Sequence, residues 1–372
     1  MTDFDVIIVG AGIAGASLAA EISGSRSVLL LETESRPGYH STGRSAAFWA
    51  ESYGGPDIQP LTSASGAFLA NPPPDFHDGP LMTQRGALHV GTAEDATAGG
   101  ELLKDFDSSG VRLQRLDWDA SALHVPGLQR QWTEALWEPD CCDIDVAALH
   151  QAYLRKAKHM GAQLRCHAEL TGAVWRDNVW RIESARNEFS AKTLVNAAGA
   201  WADEVATRAG VQPIGITPFR RTIVQLVTEP SAPADLPLVI GLDGSFYFKP
   251  DSGGRVWLSP HDETACLPGD VAPEELDIAL AIDRFQQVVD WRIVRVEHKW
   301  AGLRSFSPDR LPVIGRDSHV PEFFWFAGQG GFGIQTAPAA AMLAGALLTG
   351  DCDRPEGVLA DLYAPQRFSA RQ

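Results

Sequence analysis

Residues 4–32 read FDVIIVGAGIAGASLAAEISGSRSVLLLE, and this stretch decides the fold. The run at 5–9 is rich in β-branched residues, as in a strand that is buried on both faces of a parallel sheet. It passes through a glycine turn at 10–15 into a helix of small residues, and 27–31 predicts a second strand. Strand, turn, helix and strand in this order predict a right-handed βαβ unit.

The three glycines of this turn match the pattern of a dinucleotide site. Gly10 permits the tight turn, Gly12 lets a pyrophosphate approach the backbone, and Gly15 lets the helix pack on the strand. The N–H groups at the start of the helix attract the phosphates. Glu32, which ends the second strand, is suited to accept hydrogen bonds from ribose hydroxyls. The turn alone does not choose between NAD and FAD.

Length, charge and hydropathy exclude several classes of protein. The chain has 372 residues, enough for two domains, and 45% of them are hydrophobic, enough for a sizeable core. The net charge is −16 and no basic run is present, so nucleic acid is not expected as a partner. No apolar run reaches the roughly 18–20 residues of a membrane helix. Without a basic secretory signal, we expect a cytoplasmic protein with no integral membrane segment.

The rest of the chain alternates between helical and strand-rich segments. Helices are predicted at 145–161, with Asp145 as the N-cap, at 272–289 and at 334–348; strands are predicted at 172–176, 179–182, 188–195, within 214–259 and at 323–327. The fold class expected is α/β (α+β overall). A discontinuous Rossmann-like domain takes residues 1–80, 141–212 and 305–372, and a second, antiparallel-sheet domain takes 81–140 and 213–304.

The cysteines and histidines do not predict a metal site. The five cysteines are an odd number without repeated CxxC spacing, as in a reduced protein. The adjacent Cys141 and Cys142 are interpreted as two ordinary thiols, with a strained redox disulfide as the alternative. None of the ten histidines stands in a metal-ligand spacing.

Six further motifs identify a family. In order along the chain they are GYHSTGRSAA at 38–47, DIDxxALHQxYLR at 143–155, LVNAAGAW at 194–201, SFYxKPD at 245–251, WAGLRSF at 300–306 and QGGxGIQT at 329–336. Together they resemble the D-amino-acid oxidase (DAO) superfamily of FAD-dependent oxidoreductases, which includes glycine and sarcosine oxidases. The similarity is greatest to the bacterial FAD-dependent D-arginine dehydrogenases. The motifs cover nearly the whole chain.

The resemblance implies that the Rossmann-like domain binds FAD. The residues that it places at the cofactor are Gly10, Gly12, Ala14, Gly15, Glu32, Thr42, Gly43, Arg44, Ser45, Ala46, Ala198, Gly199, Trp201, Gly330, Gly331, Gly333, Ile334 and Gln335. Some sarcosine-type relatives tether the flavin through a cysteine near 300–304. This segment has none, so noncovalent FAD is expected.

The resemblance also implies the groups that bind the substrate. Arg221 and Arg304 would hold a substrate carboxylate, because a guanidinium binds carboxylate in a bidentate manner. The hydroxyls of Tyr53 and Tyr247 would add hydrogen bonds, and Gln335 with the backbone of Gly331 would lie near the amino group. Arg220 takes the place of its neighbour if the strand register slips by one residue.

Departures from the D-arginine enzymes bear on the substrate. Phe48 stands where they have a histidine, and Ala87 stands where they have the glutamate that pairs with a cationic side chain. Together with Trp49, Met82 and Leu88, these residues predict an apolar pocket and a neutral or hydrophobic substrate side chain. Glu51 is the one nearby acid that would restore a cation site.

These features favour oxidation of a D-amino acid to its imino acid, followed by hydrolysis to a 2-oxo acid and ammonia. An N-substituted glycine, a secondary amine that releases glyoxylate, is the alternative. A non-catalytic flavin subunit of a larger assembly is a third reading. The sequence leaves O2 and a quinone open as electron acceptors. It requires no general base, although His89, His261 and His298 lie in segments near the site.

Overall fold

The computed structural model describes residues 3–185, 187–351 and 353–371. Its helices are α1 (Ile13–Ile22), α2 (Gln59–Ala70), α3 (Ala96–Asp105), α4 (Trp118–His124), α5 (Val146–His159), α6 (Ala202–Arg208), α7 (Glu275–Val288), α8 (Ala337–Thr349) and α9 (Ala360–Tyr363). Its strands are β1 (Phe4–Val9), β2 (Val28–Leu31), β3 (Phe48–Trp49), β4 (Met82–Gln84), β5 (Ala87–Gly91), β6 (Gln114–Leu116), β7 (Glu134–Glu138), β8 (Cys142–Ile144), β9 (Gln163–Arg165), β10 (Leu170–Arg176), β11 (Val179–Ser184), β12 (Asn187–Asn196), β13 (Thr217–Glu229), β14 (Leu238–Gly241), β15 (Tyr247–Asp251), β16 (Arg255–Ser259), β17 (Thr264–Ala265), β18 (Arg292–Phe306), β19 (Val313–Arg316), β20 (Phe323–Ala327) and β21 (Gln329–Gly330).

The first sheet is built on the βαβ unit that the sequence predicts. Its order is β10-β11-β12-β1-β2-β9, with β20 on β12 and β19 on β20, and β1 is parallel to both β2 and β12. Val6 and Ile8 of β1 enter a core that they share with α1, α5 and α8. Ile7 and Val9 enter a second core with α6. The strand is therefore buried on both faces, as predicted.

The second sheet has ten strands in the order β21-β18-β13-β16-β15-β14-β5-β7-β6, with β17 on β13. Its pairs are antiparallel except β5 with β14, which run parallel, so the sheet is mixed where an antiparallel one was expected. Helix α7 packs on one face. The ladder between β13 and β18 is regular from Thr217 to Gln225 and is irregular between 225 and 226 and between 227 and 228.

Local signals behave as expected at the turns and caps. Asp145 caps α5, because its Oδ1 accepts a hydrogen bond from the Ala148 N–H at 2.8 Å. Asp177 and Asn178 have φ of 55° and 59° and connect β10 to β11 as a hairpin.

A small three-stranded sheet of β3, β8 and β4 is separate from both larger sheets. The domain boundaries stay a prediction, and the one at 304/305 falls inside β18.

Candidate active site

The turn after β1 forms the floor of a cleft of about 460 Å³. Gly10 has φ of +100°, and a Cβ there would lie 2.5 Å from the carbonyl oxygen of Ala197. Gly12 precedes α1 and brings no side chain of its own to the start of the helix. Bare backbone at a helix N-terminus is suited to a pyrophosphate.

Glu32 and Thr42 both reach this turn. The Oε2 atom of Glu32 accepts a hydrogen bond from the Ala11 N–H at 3.0 Å. The Oγ1 atom of Thr42 accepts one from the Ile13 N–H at 3.0 Å. An acid and a hydroxyl therefore flank the place where the ribose and diphosphate of a dinucleotide fit.

Most residues predicted to bind the cofactor line the cleft: Gly10, Gly12, Ala14, Glu32, Thr42, Ser45, Ala198, Gly199, Trp201, Gly330, Gly331, Gly333 and Ile334. Gly15, Gly43, Arg44, Ala46 and Gln335 do not line it. Gly15 instead lies where α1 packs against the glycine turn, since a Cβ there would be 1.9 Å from the Gly10 carbonyl oxygen. Ala46 is buried in the apolar cluster with Phe48.

Arg44 connects the cofactor loop to the second sheet. Its guanidinium donates to the carbonyl oxygen of Ala301 at 3.1 Å and forms an ion pair with Asp270. The Tyr39 hydroxyl donates to the same carboxylate at 3.2 Å. Because Gly269 and Asp270 line the cleft, the segment between β17 and α7 forms part of its wall.

Strand alternation separates the two neighbouring arginines of β13. In the ladder with β18, Arg221 and Arg304 are diagonal neighbours on one face. Arg220 points to the other face, where it pairs with Asp277 at 2.8 Å and with Glu274. Of the two arginines that the sequence left open, Arg221 is therefore the one on the Arg304 side.

Arg304 is buried without a counter-ion. It is 8% exposed, lines the cleft, and has no carboxylate within 4.0 Å among the residues described. Its guanidinium donates to the carbonyl oxygen of Leu303 at 3.3 Å. Burial, and secondarily the charge of Arg221, lowers the pKa of Arg304. A guanidinium stays protonated in proteins, so a buried one without a partner favours an anionic ligand.

Arg221, in contrast, already has a partner. It is 2% exposed, its Nη2 atom lies 3.0 Å from a carboxylate oxygen of Glu263, and its Nε donates to the carbonyl oxygen of Asp262 at 2.9 Å. Arg310 lies 2.9 Å from the same carboxylate oxygen. The two predicted carboxylate-binding arginines are thus not equivalent, because only Arg304 is unpaired.

Aromatic rings form an apolar wall beside the glycine segment. The Phe48 ring centroid lies 4.9 Å from that of Tyr53 and 6.0 Å from that of Tyr247. Ala87 is fully buried in the same cluster. A Cβ on Gly331 would lie 2.8 Å from the Tyr53 hydroxyl. The structure therefore brings these five predicted site residues together.

Three residues that the sequence predicts in the substrate pocket pack in other parts of the structure. Trp49 donates from Nε1 to the carbonyl oxygen of Thr62 at 2.8 Å and belongs to the core of the first sheet, against which Met82 packs. Leu88 belongs to the core under α7. Successive strand residues point to opposite faces, so Phe48 and Ala87 reach the wall while their neighbours turn away.

Two other polar side chains near the site face away from the cleft. Gln335, predicted at both cofactor and substrate, donates to the carbonyl oxygen of Tyr53 at 3.1 Å and to the Thr62 hydroxyl at 2.9 Å. Its Oε1 accepts from the Ala50 N–H at 3.2 Å. It therefore fixes the Tyr53 loop from behind. Glu51 accepts a hydrogen bond from the Ser63 hydroxyl of α2.

Sequence reasoning missed a buried acid next to the wall. Glu138 is 1% exposed and lies opposite Ala87 in the pairing of β7 with β5. Its Oε1 accepts from the Ser52 N–H at 3.2 Å, and its Oε2 lies 3.1 Å from Nε2 of His89. Burial opposes ionisation, but the hydrogen bonds from His89 and Ser52 outweigh it and lower the pKa of Glu138. No local motif marks this register in the sequence.

His261 lies between the two tyrosines. Its Nδ1 atom is 2.5 Å from the carbonyl oxygen of Gly244, and its ring lies 5.7 Å from that of Tyr247. Its Nε2 is buried and has no hydrogen-bond partner among the described residues. Burial, together with the charge of Arg221, lowers the pKa of His261 to about 3. The imidazole is therefore neutral at physiological pH.

The described part of the chain contains no group of three or more side chains that could hold a metal ion. No helix within it is long and apolar enough to cross a membrane. Cys141 and Cys142 are free thiols, and burial raises the pKa of both, to about 11 for Cys142. Cys352 lies outside the described residues.

Comparison with known proteins identifies the family. The model of the DAO family, described as FAD dependent oxidoreductase, matches residues 5–347. The chain belongs to this family. The glycine turn at the start of α1 and Glu32 fit FAD, so the enzyme is an FAD-dependent oxidoreductase that acts on amino acids or amines.

Relatives and solved structures agree with this assignment. The chain is 27% identical to a glycine oxidase of Pseudomonas aeruginosa, over 93% of this chain and 94% of the relative. It is 26% identical to the hydrogen cyanide synthase subunit HcnC of the same species, over 91% of each. The structure of L-proline dehydrogenase from P. horikoshii shares the fold, with a TM-score of 0.86 and 21% identity over 100% of this chain and 99% of that one.

Proposed function

We propose that this DAO-family enzyme oxidises a D-amino acid with a neutral or hydrophobic side chain, in which the carboxylate binds at Arg304. The observation that carries the proposal is the buried guanidinium of Arg304 without a counter-ion. A substrate carboxylate supplies the missing charge and is held by a bidentate pair of hydrogen bonds.

The remaining site residues have separate tasks. The Tyr53 and Tyr247 hydroxyls stand beside Arg304 and donate to the bound carboxylate, while Gln335 and Glu138 hold the Tyr53 loop. Gly331 lets the backbone of the glycine segment approach the Tyr53 hydroxyl closely, since a Cβ there would lie 2.8 Å from that oxygen. FAD, expected here without a covalent link because residues 300–304 include no cysteine, would supply the acceptor for the hydride of the substrate α-carbon. The substrate nitrogen loses a proton, and water then releases the 2-oxo acid and ammonia.

The wall formed by Phe48, Tyr53, Tyr247 and Ala87 supports an apolar side chain. Ala87 offers no charge to a cationic substrate, and the buried Glu138 opposite it is already bound by His89 and Ser52. An unpaired ammonium or guanidinium against this wall would lose its hydration without a partner. D-arginine is therefore expected to be a poor substrate.

An N-substituted glycine is the second candidate, and the relatives support it about equally. A glycine oxidase and dimethylglycine dehydrogenases are among the similar proteins, the human dimethylglycine dehydrogenase at 27% identity over 54% of this chain and 25% of its own length. Such substrates carry the same carboxylate and place an N-alkyl group against an apolar wall. The two reactions differ in product, because one releases ammonia and the other glyoxylate.

Anaerobic reduction of the bound flavin tests the proposal. D-leucine, D-phenylalanine, D-arginine, their L-forms, N-methylglycine and N-ethylglycine are mixed in turn with the holoenzyme, and the loss of flavin absorbance is followed. We expect rapid bleaching by the apolar D-amino acids, and much slower bleaching by D-arginine. Faster bleaching by D-arginine than by D-leucine would contradict the argument from Ala87.

Variants connect the reduction to Arg304. Arg304→Met should slow bleaching by every carboxylate-bearing substrate by at least about 30-fold. Arg295→Met is the matched control, since Arg295 lies on the same strand in an exposed pair with Glu297 and should keep full activity. If only the N-alkyl glycines bleach the flavin, the second candidate, oxidation of an N-substituted glycine, is the function. If no amine with a carboxylate bleaches the flavin, both candidates are wrong.

A further inference from the structure

A carboxylate that binds two arginines lies beside Arg304, since its partner Arg221 shares a face of the sheet with Arg304. Glu263 follows His261 by two residues and lies 3.0 Å from Nη2 of Arg221 and 2.9 Å from Nη2 of Arg310. Arg304 lies on the same strand face as Arg221 but has no carboxylate partner among the described residues. One protein carboxylate therefore serves two of the three cations.

Burial decides which charges count most. The side chain of Arg310 is 50% exposed, so water screens it, while Arg221 is 2% exposed and Arg304 8%. Against these two buried cations stands Glu263, whose side chain is 33% exposed. Glu263 is the one carboxylate among the described residues that forms an ion pair with either of these two buried guanidinium groups, and it pairs with Arg221, so Arg304 is left without a pair.

The neighbouring acid is engaged elsewhere. Asp262 accepts hydrogen bonds from the N–H and hydroxyl of Thr222, at 2.6 Å and 3.0 Å, and lies 3.7 Å from Arg220 on the far side of β13. The carboxylates of Glu274 and Asp277 also pair with Arg220. None of these three acids pairs with Arg221 or Arg304.

We propose that Glu263 determines specificity by occupying Arg221, so that the site takes one substrate carboxylate, at Arg304, and discriminates against dicarboxylates. This inference rests on the proposed function, because it concerns the same carboxylate site. A second substrate carboxylate near Arg221 would have to displace Glu263 or lie beside its negative charge, and like charges at close range suppress the wrong ligand.

Glu263→Gln tests this inference because it removes the charge and keeps the size. We expect the ratio of kcat/KM for D-glutamate and D-aspartate to that for D-leucine to rise at least tenfold, mainly through KM. Iminodiacetate and N-methylglycine provide the same comparison if the enzyme acts on N-substituted glycines. Glu229→Gln is the matched control, since Glu229 pairs with Arg292 at the exposed far end of the same two strands.

A binding measurement without turnover makes the test independent of the substrate. Malonate and acetate are titrated into the oxidised holoenzyme, and their dissociation constants are read from the change in flavin absorbance. Glu263→Gln should tighten malonate at least tenfold relative to acetate. An unchanged ratio of the malonate and acetate dissociation constants would overturn the proposal. An equal loss of affinity for both ligands would also overturn it, because it would mean that Glu263 only orients Arg221. Failure of the proposed function looks different, because then no amine reduces the flavin in the unmodified enzyme.

Discussion

Replacement of Arg304 by methionine should stabilise the protein and inactivate it at the same time. The side chain is 8% exposed and its charge has no carboxylate partner in the described structure. Methionine has a similar length and no charge, so it fills the same space without the cost of desolvating an ion.

The magnitudes follow from burial and pairing. Replacing buried ionic groups with apolar side chains of similar volume stabilises proteins by about 1–4 kcal/mol, and an unpaired cation belongs at the favourable end. We therefore expect the free energy of unfolding of Arg304→Met to rise by about 1–3 kcal/mol. Losing a buried charge pair with the substrate costs about 2–5 kcal/mol, which corresponds to a roughly 30- to 5,000-fold lower kcat/KM.

Urea unfolding of the holoenzyme, followed by tryptophan fluorescence, measures the first effect, and anaerobic flavin reduction measures the second. Arg220→Met provides the contrast. Arg220 is equally buried at 7% exposure but pairs with Asp277, whose side chain is only 13% exposed, so its loss leaves a largely buried acid without a partner. We expect that variant to lose about 3–5 kcal/mol of stability.

Destabilisation of Arg304→Met by more than about 1 kcal/mol would refute the reasoning, since it would make Arg304 a structural ion. A reduction of kcat/KM by less than about 30-fold would refute it equally. We expect Arg304→Met to be stable but inactive and Arg220→Met to be destabilised. This difference follows because Arg304 and Arg220 lie on opposite faces of the sheet, one without an acidic partner and the other with one.

Three other substitutions test separate parts of the site. Ala87→Glu should raise the D-arginine to D-leucine ratio of kcat/KM at least tenfold, measured in the same assay, because it adds a charge to the apolar wall. Gly10→Ala should lower the flavin content of the purified protein, read from the ratio of absorbance at 450 nm to 280 nm, since the added Cβ meets the Ala197 carbonyl oxygen at 2.5 Å. His261→Asn should flatten the acid side of the stability profile measured by urea unfolding. In the folded protein the pKa of His261 is about 3, below its value in the unfolded chain. Between these two pKa values the unfolded chain binds a proton that the folded protein does not bind. The free energy of unfolding of the wild type therefore falls by about 1.4 kcal/mol for each unit by which the pH is lowered in this range.

The elements that the sequence predicted well are those specified by local patterns. The βαβ unit, the Asp145 cap and the Asp177–Asn178 hairpin depend on neighbouring residues, and each is present where predicted. The cofactor family followed from ordered motifs, and the matching family model confirms it.

Side-chain direction, in contrast, depends on which face of a strand or loop a residue takes, and the local sequence pattern does not specify it. Trp49 and Leu88 each follow a wall residue and turn into a different core. Gln335 stands in the glycine segment but satisfies its amide with the Tyr53 loop. Glu138 was missed because its position depends on a strand register set by distant chain segments.

The regular and irregular parts of the β13–β18 ladder have a consequence for evolution. Arg221 and Arg304 lie in the regular part, and both irregularities lie beyond Gln225, towards the exposed end. A bulge absorbs one extra residue without moving the ladder on its far side. Homologues can therefore gain or lose residues near 226–229 and 293–297 while the two arginines remain in register. An insertion between 217 and 225 would instead place Arg220 on the face that Arg221 now occupies. Length variation among homologues should accordingly collect at the exposed end of these strands.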